Sequence, residues 1–141
     1  MSSPVKTLLL VEDDPDHELL AIRALKKSQL AEEIRVARDG EEAMEALCGN
    51  DSVRPQVVLL DLKLPKIDGL EVLRRIRSTE ATATLPVVVL TSSDEESDVV
   101  GSYRLGVNSY IRKPVDYTSF AEAARQIGAY WMTLNEAPKQ N

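Results

Sequence analysis

The chain alternates between short apolar runs and longer segments whose apolar residues recur at helical spacing. The runs TLLLV, IRVA, VVLLD, PVVVL and SYI occupy positions 7–11, 34–37, 57–61, 86–90 and 109–111. Several of them are rich in Val and Leu without polar alternation, which is typical of strands covered on both faces. The pattern therefore predicts five strands, most of them buried within a sheet.

Five helices are predicted between and after these strands. The first follows Pro15, GEEAMEALC and GLEVLRRIRS form the second and third (40–48 and 69–78), the fourth ends at Gly106, and the last runs from about 116 to 134. Strands that alternate with helices predict an α/β fold with a parallel sheet. The sequence shows no internal repeat or linker. We therefore expect one domain over 5–134, flexible ends at 1–4 and 135–141, and no output domain.

Composition and charge narrow the classes of function. With 141 residues, 43% of them hydrophobic and 28% charged, the chain suits one folded domain. A net charge of −6 argues against direct binding of nucleic acid, and the apolar runs are too short to span a membrane. The single cysteine, Cys48, cannot form an internal disulfide, which favours a reducing compartment. We therefore expect a cytoplasmic protein without a nucleic-acid or membrane partner.

Polar residues stand at the ends of four of the five predicted strands. They are Glu12, Asp13, Asp61, Thr91 and Lys113. The carboxyl ends of parallel strands share one edge of the sheet, where doubly wound domains bind their ligands. We therefore expect these side chains to converge. The second strand contributes nothing comparable and is expected at a side of the sheet.

The chemistry of this set indicates phosphoryl transfer assisted by a metal ion. Three carboxylates repel one another unless a cation lies among them, and Mg²⁺ prefers oxygen ligands that include one or two carboxylates. The ammonium of Lys113 would offset remaining negative charge, and the hydroxyl of Thr91 would donate to an anion. A carboxylate beside such groups can attack phosphorus, so Asp61 is the candidate nucleophile.

Each of these residues also has a simpler interpretation when it is taken alone. Acidic residues after a strand are often solvated loop charges, and Asp14 before Pro15 would cap the first helix. Thr91 alone would be an ordinary turn residue, and Lys113 alone would be a surface lysine. Their joint placement at successive strand ends favours a functional site over these separate explanations.

Four motifs, in order, make the sequence similar to a known family. They are LLVEDDP, VVLLDLKLPKIDGLEVLRRIR, PVVVLTSS and YIRKP. Together they span nearly the whole chain at the spacing found in the receiver domains of two-component response regulators, which this sequence resembles. The resemblance implies a five-stranded parallel sheet of flavodoxin-like order 2-1-3-4-5, flanked by five helices.

The resemblance also implies a role for each matched residue at the strand ends. Asp61 matches the phosphoacceptor, and Lys113 matches the lysine that pairs with a phosphoryl oxygen. Glu12 and Asp13 match the acidic pair that binds Mg²⁺ with Asp61, and the backbone carbonyl of Lys63 matches a further ligand. The side chain of Lys63 stands at the rim where water would arrive, so we hypothesise that it changes the lifetime of the phosphorylated state.

A conformational switch and a backbone feature follow from the same resemblance. Thr91 matches the hydroxyl that shifts to contact the phosphoryl group, and Tyr110 matches the aromatic residue that turns inward with it. The peptide bond between Lys113 and Pro114 matches one that is usually cis in the family, a form found almost only before proline.

The last predicted helix carries an apolar stripe that is longer than the sheet needs. Its members are Phe120, Ala124, Ile127, Trp131 and Leu134. A helix of about 19 residues would be about 28 Å long. One interpretation is that the stripe folds back on the chain's own core. We expect instead that its last turns protrude and pack against a second copy in a two-fold dimer, with Phe120, Ile127, Trp131 and Leu134 at the interface.

The function implied is that of a switch that accepts a phosphoryl group from a sensor histidine kinase. The segments AYW…LNE and ARDGEEA resemble stand-alone regulators paired with bacterial phytochrome kinases, so we expect a kinase of that type. Output would pass through protein contacts, onward phosphotransfer or dimerisation. His17, the single histidine, is expected on the surface and not as a phosphodonor.

Two other functions stay open on the sequence alone. A phosphatase of haloacid dehalogenase type would also form an aspartyl-phosphate, but it needs a second Asp two residues after the nucleophile, where this chain has Lys63. The other is a binding module of receiver fold that takes no phosphoryl group. We expect neither, and no turnover of an external substrate.

Overall fold

The computed structural model describes residues 6–138, which form five strands and five α-helices in strict alternation. The strands are β1 (Thr7–Val11), β2 (Glu33–Ala37), β3 (Val57–Leu60), β4 (Val87–Thr91) and β5 (Ser109–Arg112). The helices are α1 (Pro15–Lys27), α2 (Gly40–Cys48), α3 (Gly69–Ser78), α4 (Glu96–Arg104) and α5 (Tyr117–Ala129), and a π-helical turn, Tyr130–Leu134, follows α5. Each predicted strand is confirmed to within one residue at either end. Of the ends predicted to be flexible, 1–4 and 135–141, residues 1–4 and 139–141 lie outside the described residues.

All five strands are parallel and lie in the order β2-β1-β3-β4-β5, so the predicted topology is confirmed. In β1, Val11 lies opposite Ala37 of β2 and Leu60 of β3. Since these strands end at the same level, the residues that follow Val11 and Leu60 emerge side by side. The topology thus brings the acidic residues of β1 and β3 to one edge of the sheet.

The sheet is covered on both faces, which explains the continuous apolar runs. Every residue of β1, β3 and β4 is buried, whereas the outer strands β2 and β5 are partly exposed. Leu9 and Val11 point into a core with α2 and α3, and Leu8 and Leu10 point into a second core with α1 and α5. Alternate residues of one strand therefore serve two cores, as the period of two in a strand requires.

Aspartates cap four of the five helices that begin at the carboxyl edge of the sheet, and α4, which starts after Glu95, has no side-chain cap. Asp14 accepts hydrogen bonds from two backbone N–H groups of α1, so its predicted capping role is confirmed. Asp39, Asp68 and Asp116 accept one each at the starts of α2, α3 and α5. Because each cap satisfies donors that a helix leaves free, the helix starts directly after the connecting loop. The first turns of α1 and α3 are thereby held next to the strand ends.

The C-terminal stripe does not continue as the sequence pattern predicts. Phe120 and Ile127 are buried in the chain's own core, and at the π-helical turn Met132, only 2% exposed, replaces Trp131 as the most buried residue. Leu134 is 74% exposed. The wider π turn shifts the helical phase, so the spacing of an α-helix no longer applies. Phe120 and Ile127 were wrongly predicted as interface residues, since their own core covers them.

Across residues 6–138, no helix combines the length and the hydropathy that crossing a membrane requires.

Candidate functional site

Backbone hydrogen bonds extend the sheet past the strand ends and hold the polar residues in place. The amide of Glu12 donates to Ala37 O at 2.9 Å, and the amide of Asp61 donates to Val11 O at 3.1 Å. The amide of Lys113 donates to the carbonyl of the last residue of β4 at 2.7 Å. These residues are therefore part of the rigid sheet edge and not of mobile loops, which suits a preorganised site.

Asp61 is buried at the centre of this edge and receives three hydrogen bonds. The Thr91 hydroxyl donates to Oδ1 at 2.8 Å, and the backbone amide of Lys63 donates to the same oxygen at 3.1 Å. The Lys113 ammonium donates to Oδ2 at 2.9 Å. Both carboxylate oxygens are thus oriented by donors, and the predicted convergence of these side chains is what the geometry shows.

Lys113 bridges two buried carboxylates. Its Nζ lies 2.7 Å from Oε1 of Glu12 and 2.9 Å from Oδ2 of Asp61. Burial alone would lower the pKa of the Lys113 ammonium, but the hydrogen bond to Glu12 and the charge of Asp61 outweigh burial and raise that pKa above its ordinary value. The lysine therefore remains a cation inside the site.

Three carboxylates at this edge can offer oxygens to one cation. Oxygens of Glu12, Asp13 and Asp61 lie within 4.8 Å of one another, with Glu12 and Asp61 buried and Asp13 exposed. Burial raises the pKa of Glu12 to about 7, the hydrogen bond from Lys113 opposes this, and the charge of Asp61 adds to it. With all groups ionised, three carboxylates and one ammonium leave an excess of two negative charges. The donor set fits a hard divalent cation.

A cleft of about 450 Å³ opens onto this group. It is lined by Asp13, Lys63 and Asp68, and by the apolar side chains of Leu62, Leu64, Pro65 and Leu70 among others. The chain returns close to the phosphoacceptor candidate here, because a Cβ on Gly69 would lie only 2.5 Å from the carbonyl oxygen of Asp61. The cleft therefore reaches the acidic group at Asp13, next to the buried Asp61. The Lys63 carbonyl as a metal ligand stays a prediction.

Tyr110 and Thr91 are linked through the loop between β4 and α4. The Tyr110 hydroxyl donates to the carbonyl of Ser93 at 2.9 Å, and the Ser93 amide donates to Thr91 Oγ1 at 3.4 Å. The Ser93 hydroxyl in turn donates to the carboxylate of Asp98 on α4. Burial is the main cause that raises the pKa of the Tyr110 hydroxyl, so it remains a donor. A shift of Thr91 can therefore reach Tyr110 and α4 through Ser93.

The peptide bond between Lys113 and Pro114 differs from the prediction. No cis peptide bond occurs within the described part of the chain, so this bond is trans. Before proline the trans form is still favoured by about 0.5–1 kcal/mol. Lys113 reaches both carboxylates with the trans bond, and the prediction of a cis bond was wrong for this structure.

Sequence reasoning missed two contributors to the site. Ser93 lies two residues after Thr91, and its role follows from the loop that the structure builds. His17 was expected on the surface, but its ring is half-buried and Nδ1 lies 2.9 Å from Nζ of Lys113. One signal was available: the capping Asp14 follows β1 so closely that the first turn of α1 must lie beside the strand ends.

Comparison of the sequence with models of known protein families gives a match that is consistent with this fold and its acidic edge. The model of the response regulator receiver domain matches residues 8–125. The chain belongs to this family. The predicted resemblance is thereby confirmed.

Two relatives are similar over nearly their whole length. The chain is 40% identical to response regulator Rcp1 of Synechocystis sp. over 141 residues, which covers 97% of this chain and 96% of Rcp1. It is 39% identical to the probable methanogenesis regulatory protein FilR2 of Methanothrix harundinacea over 134 residues, with 93% of this chain and 86% of FilR2 covered.

Solved structures of similar regulators share the fold. The Mn²⁺-bound form of Rcp1 superposes with a TM-score of 0.90 at 38% identity, covering 95% of this chain and 99% of that one. The phosphorylated cyanobacterial phytochrome response regulator RcpA gives 0.91 at 37% identity, with 96% and 100% covered. The bacteriophytochrome response regulator AtBRR gives 0.72 at 47% identity, with 95% and 100% covered.

Proposed function

We propose that the protein accepts a phosphoryl group from the phosphohistidine of a sensor histidine kinase onto Asp61. The observation that carries this proposal is the set of three donors on the buried carboxylate, from Thr91, Lys63 and Lys113. In the transfer, one oxygen of Asp61 forms a bond to phosphorus while the phosphorus–nitrogen bond of the donor breaks. The imidazole leaves with the electron pair of that bond.

The groups around Asp61 have separate tasks in this reaction. The ammonium of Lys113 and the hydroxyl of Thr91 are placed to follow the charge that develops on the phosphoryl oxygens. We propose Mg²⁺ as the cation, held by Glu12, Asp13 and Asp61 with the carbonyl of Lys63. Bound there, it would supply positive charge to the phosphoryl oxygens. The support is the cluster of three carboxylates and the manganese bound in the similar Rcp1.

The proposal does not include turnover of an external phosphate ester. A phosphatase of this chemistry needs a general acid–base group two residues after the nucleophile, and Lys63 has no carboxylate there. The protein instead promotes the phosphorylation of its own Asp61 and the later hydrolysis of the aspartyl-phosphate. Phosphorylation would then bias the link of Thr91, Ser93 and Tyr110 and thereby change the face formed by α4, β5 and α5.

Intact-mass spectrometry after incubation with acetyl phosphate tests the acceptor directly. We expect one added phosphoryl group that requires both Mg²⁺ and Asp61 and is absent from Asp61→Asn. Asp68→Asn is the matched control, because Asp68 lines the same cleft and Asn also caps helices. If the wild-type chain stays unmodified after rapid quenching, while a control receiver is modified in parallel, the proposal fails. The remaining interpretation is then a binding module that takes no phosphoryl group.

A kinase of the bacterial phytochrome type is proposed as the phosphodonor, in the cytoplasm. The support is full-length similarity to the phytochrome regulators RcpA and AtBRR. The test is phosphotransfer from an autophosphorylated phytochrome kinase, compared with several unrelated kinases at equal concentration. We expect transfer to be faster from the phytochrome kinase than from any of the unrelated kinases. Equal or slower transfer from the phytochrome kinase would contradict this assignment, although Asp61 would remain the proposed acceptor.

A homodimer through the C-terminal turn is the remaining proposal, with Trp131 and Leu134 kept from the predicted set. Tyr130 and Leu134 are exposed and Trp131 packs edge-on against Tyr130, so an apolar surface faces outward. Sedimentation equilibrium of the free and phosphorylated protein measures the association. Leu134→Glu is expected to weaken it, whereas Leu19→Glu, at an exposed Leu of α1, is the control and should not. A monomer in both states would end this proposal.

A further inference from the structure

His17 is held against the phosphorylation site by two elements other than the sheet. It lies in the first turn of α1, where its amide donates to the capping Asp14. Its ring stacks on Phe120 of α5, with ring centroids 5.1 Å apart and an angle of 26° between the planes. This stacking directs Nδ1 toward Lys113, and the distance from Nδ1 to Nζ is 2.9 Å.

The hydrogen-bonding capacity of Lys113 determines the state of this ring. An ammonium group has three N–H donors and no acceptor. Two of the donors have carboxylate partners, Glu12 at 2.7 Å and Asp61 at 2.9 Å. The third has His17 Nδ1, which must therefore present its lone pair and leave the ring proton on Nε2. The carboxylate of Asp14 is 3.6 Å from Nδ1, which is too long for a competing hydrogen bond.

We propose that His17 is a positioning residue that holds the Lys113 ammonium at Asp61 by accepting its third hydrogen bond. A lysine side chain is long and flexible, and its ammonium is fixed only by the acceptors that surround it. With His17 in place all three donors are directed, and the cation cannot turn away from Asp61. Without an acceptor there, a buried donor is left without a partner and the ammonium loses its fixed orientation.

The kinetic consequence rests on the proposed function, since it concerns transfer to Asp61. His17→Leu keeps an apolar side chain against Phe120 but removes the acceptor. His17→Asn keeps an acceptor close to the position of Nδ1, because the carboxamide oxygen is attached to the same carbon of the side chain. The comparison of the two variants separates the hydrogen bond from the packing of the ring.

Rates of phosphorylation by acetyl phosphate at saturating Mg²⁺ are measured for the full chain and both variants. We expect His17→Leu to be slower by about tenfold, the low end of the effect of one hydrogen bond to a charged group. His17→Asn is expected to stay within about twofold of wild type on the same argument. A wild-type rate in His17→Leu, or an equal loss in both variants, would overturn the positioning role.

Nitrogen-15 NMR of the imidazole ring supplies a readout that does not depend on phosphorylation. The chain has a single histidine, so all imidazole signals belong to His17 and only its two ring nitrogens have to be distinguished. In a mildly alkaline buffer we expect Nδ1 to be unprotonated and hydrogen-bonded, with the proton on Nε2, and Lys113→Met to shift the Nδ1 signal. A proton on Nδ1, or an unchanged signal in Lys113→Met, would overturn the inference. If wild type takes no phosphoryl group, the proposed function fails while this measurement still decides the contact.

Discussion

A buried cation and a half-buried one, at opposite edges of the sheet, show how differently the fold uses positive charge. Lys113 lies at the carboxyl edge between the carboxylates of Glu12 and Asp61. Arg77 lies near the amino edge, at the end of α3. Its guanidinium donates to three backbone carbonyls and one side-chain amide, those of Ala83, Leu85, Gly106 and Asn108, at 2.7–3.1 Å.

The two sites differ in what their partners can become. The acceptors of Arg77 are neutral groups of the loops that lead into β4 and β5, and burial lowers the pKa of Arg77. The acceptors of Lys113 are titratable carboxylates, which raise its pKa against burial. Neutral carbonyls keep one arrangement, so Arg77 is a permanent connection between loops. Carboxylates can exchange a lysine for a metal or a phosphoryl group, so Lys113 is a cation whose partners can change.

Removing the two cations should therefore have different consequences. The loss of phosphorylation activity in Lys113→Met is the larger expected effect. The variant lacks one preorganised hydrogen-bond donor to the negative charge on the transferring phosphoryl group. Loss of such a donor typically lowers the rate by about 10²-fold. The measurement is the rate of phosphorylation by acetyl phosphate. Lys66→Met is the control, because the exposed Lys66 pairs with the carboxylates of Asp39 and Glu41 and not with those of the site. A comparable loss in the control would show that the site responds to charge in general.

Arg77→Met should lower stability while leaving the phosphorylation rate of the folded protein unchanged. The variant leaves several carbonyls without a donor, so we expect the free energy of unfolding to fall by about 2–4 kcal/mol. Urea denaturation measures this change as a lower transition midpoint. Arg75→Met is the matched control on the same helix, since the exposed Arg75 pairs with Glu71 at the surface and such pairs contribute about 0–1 kcal/mol. Equal losses in the two variants would contradict a special role for Arg77.

How much could be predicted from the sequence depends on whether a feature is local in the chain. Strand ends, helix caps and the convergence of Asp61, Thr91 and Lys113 follow from patterns that are local in the chain. Each buried strand is a continuous apolar run, and each capping Asp stands at the start of its helix. The parallel topology then brings the strand ends together. These predictions required no knowledge of individual side-chain contacts.

The contacts that the sequence did not reveal join distant parts of the chain or depend on small shifts. His17 and Lys113 are separated by 96 positions, and neither residue type indicates the other. The π-helical turn buries Met132, which is not a member of the predicted stripe, by a change of phase that hydrophobic spacing does not encode. The isomer of the bond before Pro114 differs by too little energy for the sequence to decide.

The pH dependence of stability sharpens the comparison at Glu12. Its pKa is about 7 in the folded protein and has an ordinary value of 4.5. Between these values the folded state binds a proton that the unfolded chain releases, so stability should fall as pH rises from about 4.5 to 7 in the metal-free protein. Urea titrations in EDTA measure this, and Glu12→Gln should reduce the slope. Glu71, whose pKa hydrogen bonds from Arg74 lower to about 2, titrates below this window.

A bound divalent cation should oppose this loss, because it competes with the proton for Glu12. We expect Mg²⁺ to raise stability most above pH 7 and its affinity to fall as the pH is lowered through that value. Calorimetric titration of Mg²⁺ at several pH values measures the affinity. An affinity independent of pH between 5 and 8 would show that Glu12 does not take part in binding.

The smallest expected effect is at the rim of the cleft. There a substitution of Lys63 tests whether side chains outside the buried group change the lifetime of the phosphorylated state. Its amide is fixed on Asp61, but its side chain is exposed beside the opening through which water would reach a phosphorylated Asp61. Because Lys63→Ala clears this path and leaves the amide in place, we expect autodephosphorylation to become about two- to fivefold faster, a change of no more than about 1 kcal/mol in the barrier. Decay of the phosphorylated mass after removal of acetyl phosphate measures the rate, with Lys66→Ala as the control outside the cleft lining. Equal rates in Lys63→Ala and wild type would show that the lifetime of the phosphorylated state is set by the buried groups alone.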